Sequence, residues 1–134
     1  SWVEPGQMLS ELAAYYDAYG VKTRTNELPD HIAVEAGFVG YLRLKELYAR
    51  ECGDDKNAEI TADAAVSFIE DHLSKYSEKL NSLLSNSGIK YLEIAGEALF
   101  ERVGPDKDKS TLREAALPIL AEERDAMFEC GAGI

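Results

Sequence analysis

The chain has two histidines, and the carboxylates around them are the first candidates for chemistry. His31 is followed four residues later by Glu35, a spacing that puts both on one face of a helix, while His72 directly follows Asp71. Such groups could ligate a metal or pass a proton. A di-metal carboxylate site needs Glu-x-x-His, and neither histidine has a glutamate three residues before it. The zinc-protease pattern His-Glu-x-x-His is absent as well. The His31–Glu35 pair therefore reads first as a surface ion pair. A metal-binding or hydrolytic protein using His31, Glu35 and His72 is the alternative. Gly104-Pro105-Asp106-Lys107-Asp108-Lys109-Ser110 imitates a phosphate-binding loop, but the second glycine is missing, Asp108 repels phosphate and no strand precedes it. Cys52 and Cys130 form no C-x-x-C pair, suit no zinc site and lack the basic neighbours of a nucleophile. Nothing demands catalysis, a cofactor or a metal.

Two other groupings point to binding. Glu93, Glu97 and Glu101 recur every four residues with no lysine on their row, opposite an apolar stripe. Like charges at that spacing repel by roughly 0.2–0.5 kcal/mol per pair. The row is either a solvated face or an acidic docking strip for an arginine-rich segment. Among seven tyrosines, four phenylalanines and one tryptophan, Tyr15, Tyr16, Tyr19, Phe38, Tyr41 and Tyr48 crowd into the first half of the chain. Most belong in a core, but their density exceeds what one helix face can bury, so some are free to line a groove for an apolar helix.

The elements that must carry these residues are helical throughout, since apolar residues recur every three or four positions and no stretch alternates. Met8, Leu12, Tyr15 or Tyr16, and Tyr19 make a first stripe that stops at Gly20. Asp30 is placed to cap a second helix, with Ile32, Ala36, Val39, Leu42 or Leu44, and Leu47 inward, ending before Gly53. After a loop at Gly53–Asn57, Thr61 is expected to cap one long helix with Ala65, Ile69, Leu73, Tyr76, Leu80 and Leu83 on its face. Leu92, Ala95, Leu99 and Val103 mark the next helix, closed by Gly104-Pro105. Thr111-Leu112-Arg113-Glu114 resembles a capping box for a last segment that Pro118 kinks, before a frayed end at Gly131–Ile134. The expected fold is all-α: one domain over residues 1–134, a bundle of about five helices with short loops.

At 134 residues the chain can bury a core of its own. Its net charge of −11 repels phosphate backbones, which argues against nucleic acid and favours basic peptides. No apolar run approaches the ~18 residues of a membrane span. With no export signal and only two cysteines, the expected location is cytoplasmic. Ser1 opens the chain without a methionine, so residues upstream are expected.

The segment Asn26-Glu27-Leu28-Pro29-Asp30-His31-Ile32-Ala33-Val34-Glu35-Ala36-Gly37-Phe38-Val39-Gly40-Tyr41-Leu42 resembles the signature E-x-P-D-H-x-x-x-E-x-x-F-x-x-x-L of the TorD/DmsD/NarJ family of redox-enzyme maturation chaperones. Phe68-Ile69-Glu70-Asp71-His72-Leu73 with Tyr76 is similar to its F-x-x-x-H-L-x-x-W stretch, tyrosine replacing tryptophan. Tyr15 to Gly20 is similar to its Y-x-x-x-G element, and Tyr91, Ala95, Leu99 and Phe100 to its next helix. The resemblance implies an all-helical, non-enzymatic cytoplasmic chaperone. Its partner would be the apo catalytic subunit of a molybdopterin-dependent oxidoreductase, its twin-arginine signal peptide, or both, held until the cofactor is in place. Carried over by position, Asp30, His31 and Glu35 form the functional patch, and Glu27 and Pro29 shape the loop before it; of the aromatic residues, Tyr16 and Phe38 are the candidates for peptide binding. The resemblance leaves nucleotide binding open, and the choice between a monomer and a helix-exchanged homodimer. The family's first helices are missing and Ala36 replaces a common leucine, so the chain reads as a truncated or a shortened member. A structural subunit of a larger complex is the remaining alternative.

Overall fold

A computed structural model describes residues 4–22 and 28–114. Every regular element among them is helical. The elements are α1 (Pro5–Ala18), α2 (Ile32–Glu51), α3 (Asp55–Phe68), a π-helical segment (Ile69–Leu73), α4 (Ser74–Ser85), α5 (Lys90–Val103) and the short α6 (Lys109–Glu114). By their contacts the residues fall into two compact units, one ending at Tyr41 and one beginning at Leu42, and α2 runs through the boundary.

In the first unit, α1 starts with Pro5, whose missing N–H falls where no helical bond would form. It ends in a Schellman turn: Val21 N–H donates to Tyr16 O at 2.9 Å and Gly20 N–H to Asp17 O at 3.1 Å, with Gly20 at φ 66°. Leu12 and Tyr16 are its buried residues, as the stripe predicts. On α2, Glu35 and Phe38 turn inward while Ala36 faces solvent. A pattern reading that keeps carboxylates outside selects Ala36 instead.

The second unit opens with Leu42 buried and Leu44 58% exposed, which decides between those two candidates. Glu46, one turn further on, is also buried. A second Schellman turn at Gly53 ends α2, with Asp54 N–H donating to Ala49 O at 2.8 Å. Here the expected loop is short. Asp54 is itself the N-cap of α3, accepting from Asn57 N–H at 3.2 Å, so the helix begins six residues before Thr61. Thr61 lies inside it and donates its hydroxyl to Asn57 O at 2.8 Å.

The long third helix is interrupted. Among its buried residues, one row, Thr61, Ala65, Ile69, Leu73 and Ser77, is spaced by four throughout. A strict four-residue spacing drifts around an α-helix by about 40° per step. The wider π turn at Ile69–Leu73 takes up the drift and passes the buried row to Ser77, leaving Tyr76 and Leu83 exposed, against expectation. Gly96 of α5 then meets α4 closely: a Cβ there would lie 3.1 Å from Leu84 Cβ. Ala95, expected on the inner stripe, is exposed. Gly104 closes α5 as read. For α6 the cap is Asp108, whose Oδ1 accepts from Thr111 N–H at 2.7 Å, so Thr111 is an interior residue rather than the start of a capping box. The readings at Pro118, Cys130 and Gly131–Ile134 lie outside the described residues.

Candidate functional site

The start of α2 brings most of the sequence candidates together. Leu28-Pro29-Asp30-His31 is a turn, closed by His31 N–H donating to Leu28 O at 3.0 Å, with proline at the position whose φ it fixes. The turn delivers His31, not Asp30, to the cap. His31 O accepts from Val34 and Glu35 N–H at 2.9 and 3.0 Å, and its Nδ1 accepts from Ala33 N–H at 3.1 Å. Asp30 is half-buried in the turn.

One turn into the helix, Glu35 has no exposed surface, and neither carboxylate oxygen has a hydrogen-bond partner among the described residues. The expected surface ion pair is therefore not formed, because the helix turns Glu35 inward and the His31 ring toward solvent. Burial pushes the Glu35 carboxyl up to about 7, and the charge of Asp30 adds to the rise. Tyr16 OH donates to Pro29 O at 2.7 Å and ties the turn to α1. Its phenol is held above the ordinary tyrosine range, chiefly by burial and then by the charges of Glu35 and Asp30. It therefore remains a neutral donor. Phe38, one turn beyond Glu35, is buried edge-on against Tyr15, Tyr16 and Tyr19, with centroids 6.4, 4.8 and 6.0 Å away. Tyr41 OH donates to Tyr19 O at 3.2 Å and pins the end of α1. Tyr16, Asp30, His31, Glu35 and Phe38 thus gather at one place, and Glu27 lies outside the described residues.

His72 lies in the π segment of the second unit, buried and tilted against Phe68 at 5.1 Å. Among the described residues no group of three His, Cys, Asp or Glu could hold a metal ion.

The acidic row on α5 differs from expectation. Glu93 is paired with Lys90 at 3.7 Å, so a lysine does lie beside it. Glu93 and Glu97 line one wall of an open cleft of about 340 Å³ with Lys90 and Ile94, and Asn81 and Ser85 of α4 form the other wall. Asn81 and Ser85 escaped the sequence reading. Their four-residue spacing was the available signal, but polar residues at that spacing are common on any solvated helix. Also unforeseen is an ion-pair chain. Glu46 accepts from Arg43 Nη1 at 2.9 Å and Arg50 Nη2 at 3.0 Å; Arg50 and Arg113 reach Glu59 at 3.3 and 3.1 Å; Arg113 also pairs with Asp63.

No helix among the described residues is long and apolar enough to cross a membrane. No curated protein and no solved structure matches the chain. The family model described as nitrate reductase delta subunit matches residues 3–82. That stretch contains α1, the turn and cap at Pro29–His31, the buried Glu35 and the π segment. With more than half its length matched, and the match running through the E-x-P-D-H signature, the chain belongs to the nitrate reductase delta subunit family of redox-enzyme maturation chaperones.

Proposed function

We propose that this chain is a cytoplasmic chaperone for a molybdopterin-dependent oxidoreductase, and that it holds the apo catalytic subunit through its twin-arginine signal segment until the cofactor is installed. The observation that carries the reading is Glu35: a carboxylate with no exposed surface, no hydrogen-bond partner among the described residues, and a second carboxylate, Asp30, beside it. A buried acid left in this condition costs stability that a better-paired or apolar residue would not. A guanidinium from the client would supply the missing donors and the missing charge together. On this reading the Pro29–His31 turn moves to admit the client, and the Tyr16–Pro29 hydrogen bond is one of the contacts that movement breaks. In this reading the aromatic cluster around Phe38 takes apolar residues of the same segment. Burial of each such side chain contributes about 1.5–3 kcal/mol.

Proton linkage tests the reading. Only ionised Glu35 pairs with a guanidinium, so below about pH 7 binding must expel a proton from its carboxyl. Calorimetry with the client's signal peptide should show affinity falling about tenfold per pH unit below 7, with proton release detected by changing the buffer. Glu35→Gln should bind weakly at every pH. Equal affinity at pH 5.5 and 7.5, or wild-type binding by Glu35→Gln, would refute the assignment of Glu35.

A further inference from the structure

We infer that the α4–α5 cleft, together with the apolar edge beside it, is a docking surface for a cationic amphipathic helix of a partner polypeptide. The inference rests on the reading of the chain as a protein-holding chaperone, and it concerns a surface distinct from the start of α2. The family match ends at Ser82, so α5 and the turn leading into it lie beyond the matched segment.

The surface has two edges. Tyr91 and Ile94, three residues apart on α5 and therefore neighbours on its surface, are 70% and 54% exposed. Large apolar side chains left that far in water on adjacent turns form a patch instead of a scatter. Along the other edge run Glu93, Glu97 and Glu101, with Glu97 and Glu101 exposed. Among the described residues, ion pairing on this row is confined to Lys90 and Glu93, so the strip keeps a net negative charge. Ile94 lies three residues before Glu97 and lines the cleft with it, so the two edges meet there. Asn81 and Ser85 supply amide and hydroxyl groups on the opposite wall.

Charge selects the occupant. A phosphate backbone or an anionic lipid surface is repelled by the glutamate row. A second copy of the chain, itself carrying −11, is repelled as well. What remains complementary is a polypeptide bearing lysine or arginine with apolar residues at helical spacing. Its apolar face would lie on Tyr91 and Ile94, and its cations would meet Glu97 and Glu101. The cleft, at about 340 Å³, is near the lower limit of small-molecule pockets and open, which suits inserted side chains better than an enclosed ligand.

The test uses the full chain and a fluorescent leucine–lysine peptide of about four helical turns, followed by anisotropy. Tyr91→Ser with Ile94→Ser should weaken binding about tenfold, and Glu97→Lys with Glu101→Lys should do the same while flattening the salt dependence. These positions are exposed, and unchanged helical circular dichroism shows that the variants remain folded. Equal binding by wild type and both α5 variants overturns the inference. So does equal binding of a peptide with glutamate in place of lysine. Binding lost in Glu35→Gln and unchanged in both α5 variants overturns it too, while leaving the function proposed above standing.

Discussion

Helix α2 carries two buried glutamates three turns apart, and the protein treats them in opposite ways. Glu46 is only 3% exposed, yet its carboxylate accepts from Arg43 Nη1 at 2.9 Å and from Arg50 Nε and Nη2 at 3.2 and 3.0 Å. Through Arg50 it is tied to Glu59, and through Glu59 to Arg113. Glu35 has the same side chain on the same helix, with neither oxygen hydrogen-bonded among the described residues and its carboxyl raised to about 7. Satisfied buried charge is structure. On the function proposed above, the unsatisfied one is where a group from outside completes the arrangement.

Breaking the satisfied glutamate should have the largest effect. Glu46→Ala takes the carboxylate from two guanidinium groups, one of them, Arg43, nearly buried, and removal of one partner from a buried pair costs about 3 kcal/mol or more. A urea melt should show the midpoint falling accordingly. A loss under 1 kcal/mol would mean that the arginines find other partners, and the contrast with Glu35 would weaken.

Glu35→Gln should act in the opposite sense and depend on pH. The folded carboxyl, at about 7, lies above its unfolded value, so the folded state binds more protons between about 4.5 and 7. Stability from this group is fully present below about 4.5, declines as pH rises to about 7 and is flat beyond. The shift corresponds to a total on the order of 3 kcal/mol. Glu35→Gln should be more stable than wild type at pH 8 and should lose this slope. The difference between the two melting curves isolates the group from carboxyls such as Asp54 and Glu59, which are held low by their partners and act only in acid.

The sequence carried the helical class because apolar spacing reports it directly, and it carried the turn before α2 because the turn chemistry of Pro29 is local. It did not carry orientation. Hydrophobic patterning places Ala36 inward and Glu35 outward because it treats every carboxylate as solvated, and here two of α2's glutamates are inside. Asp30 was preferred to His31 as the cap because aspartate is the commoner cap, whereas the closed turn at Leu28–His31 sets the helix start one residue later. The interruption at Ile69–Leu73 was invisible because a four-residue repeat fits a drifting α-helix as well as a π turn. The Glu46 network joins Arg43 to Arg113 across 70 positions of sequence, and no spacing rule reaches that far.

Tyr16→Phe sharpens the contrast from the side of the closing turn. It removes the 2.7 Å hydrogen bond to Pro29 O, a loss of about 1 kcal/mol. It leaves the rings around Phe38 in place. Amide exchange at His31 and Ala33 should quicken while exchange within α3 is unchanged. If the turn is the gate to Glu35, signal-peptide association should also become faster; a slower one would show that the hydroxyl contacts the peptide instead.

The smallest effect concerns how Glu46 is held. Arg50 directs Nε and Nη2 at one Glu46 oxygen while the same Nη2 reaches Glu59 at 3.3 Å. A lysine has a single nitrogen on a flexible stem and cannot reproduce the fork. The Arg50 side chain is 37% exposed, so water already screens part of the interaction. Arg50→Lys should therefore cost only about 0.5 kcal/mol, much less than Glu46→Ala, because Arg43 still satisfies the buried carboxylate. A cost approaching that of Glu46→Ala would show that Arg50 alone neutralises Glu46. In that case Arg50→Lys would leave Glu46 buried without its charge partner, as Glu35 is.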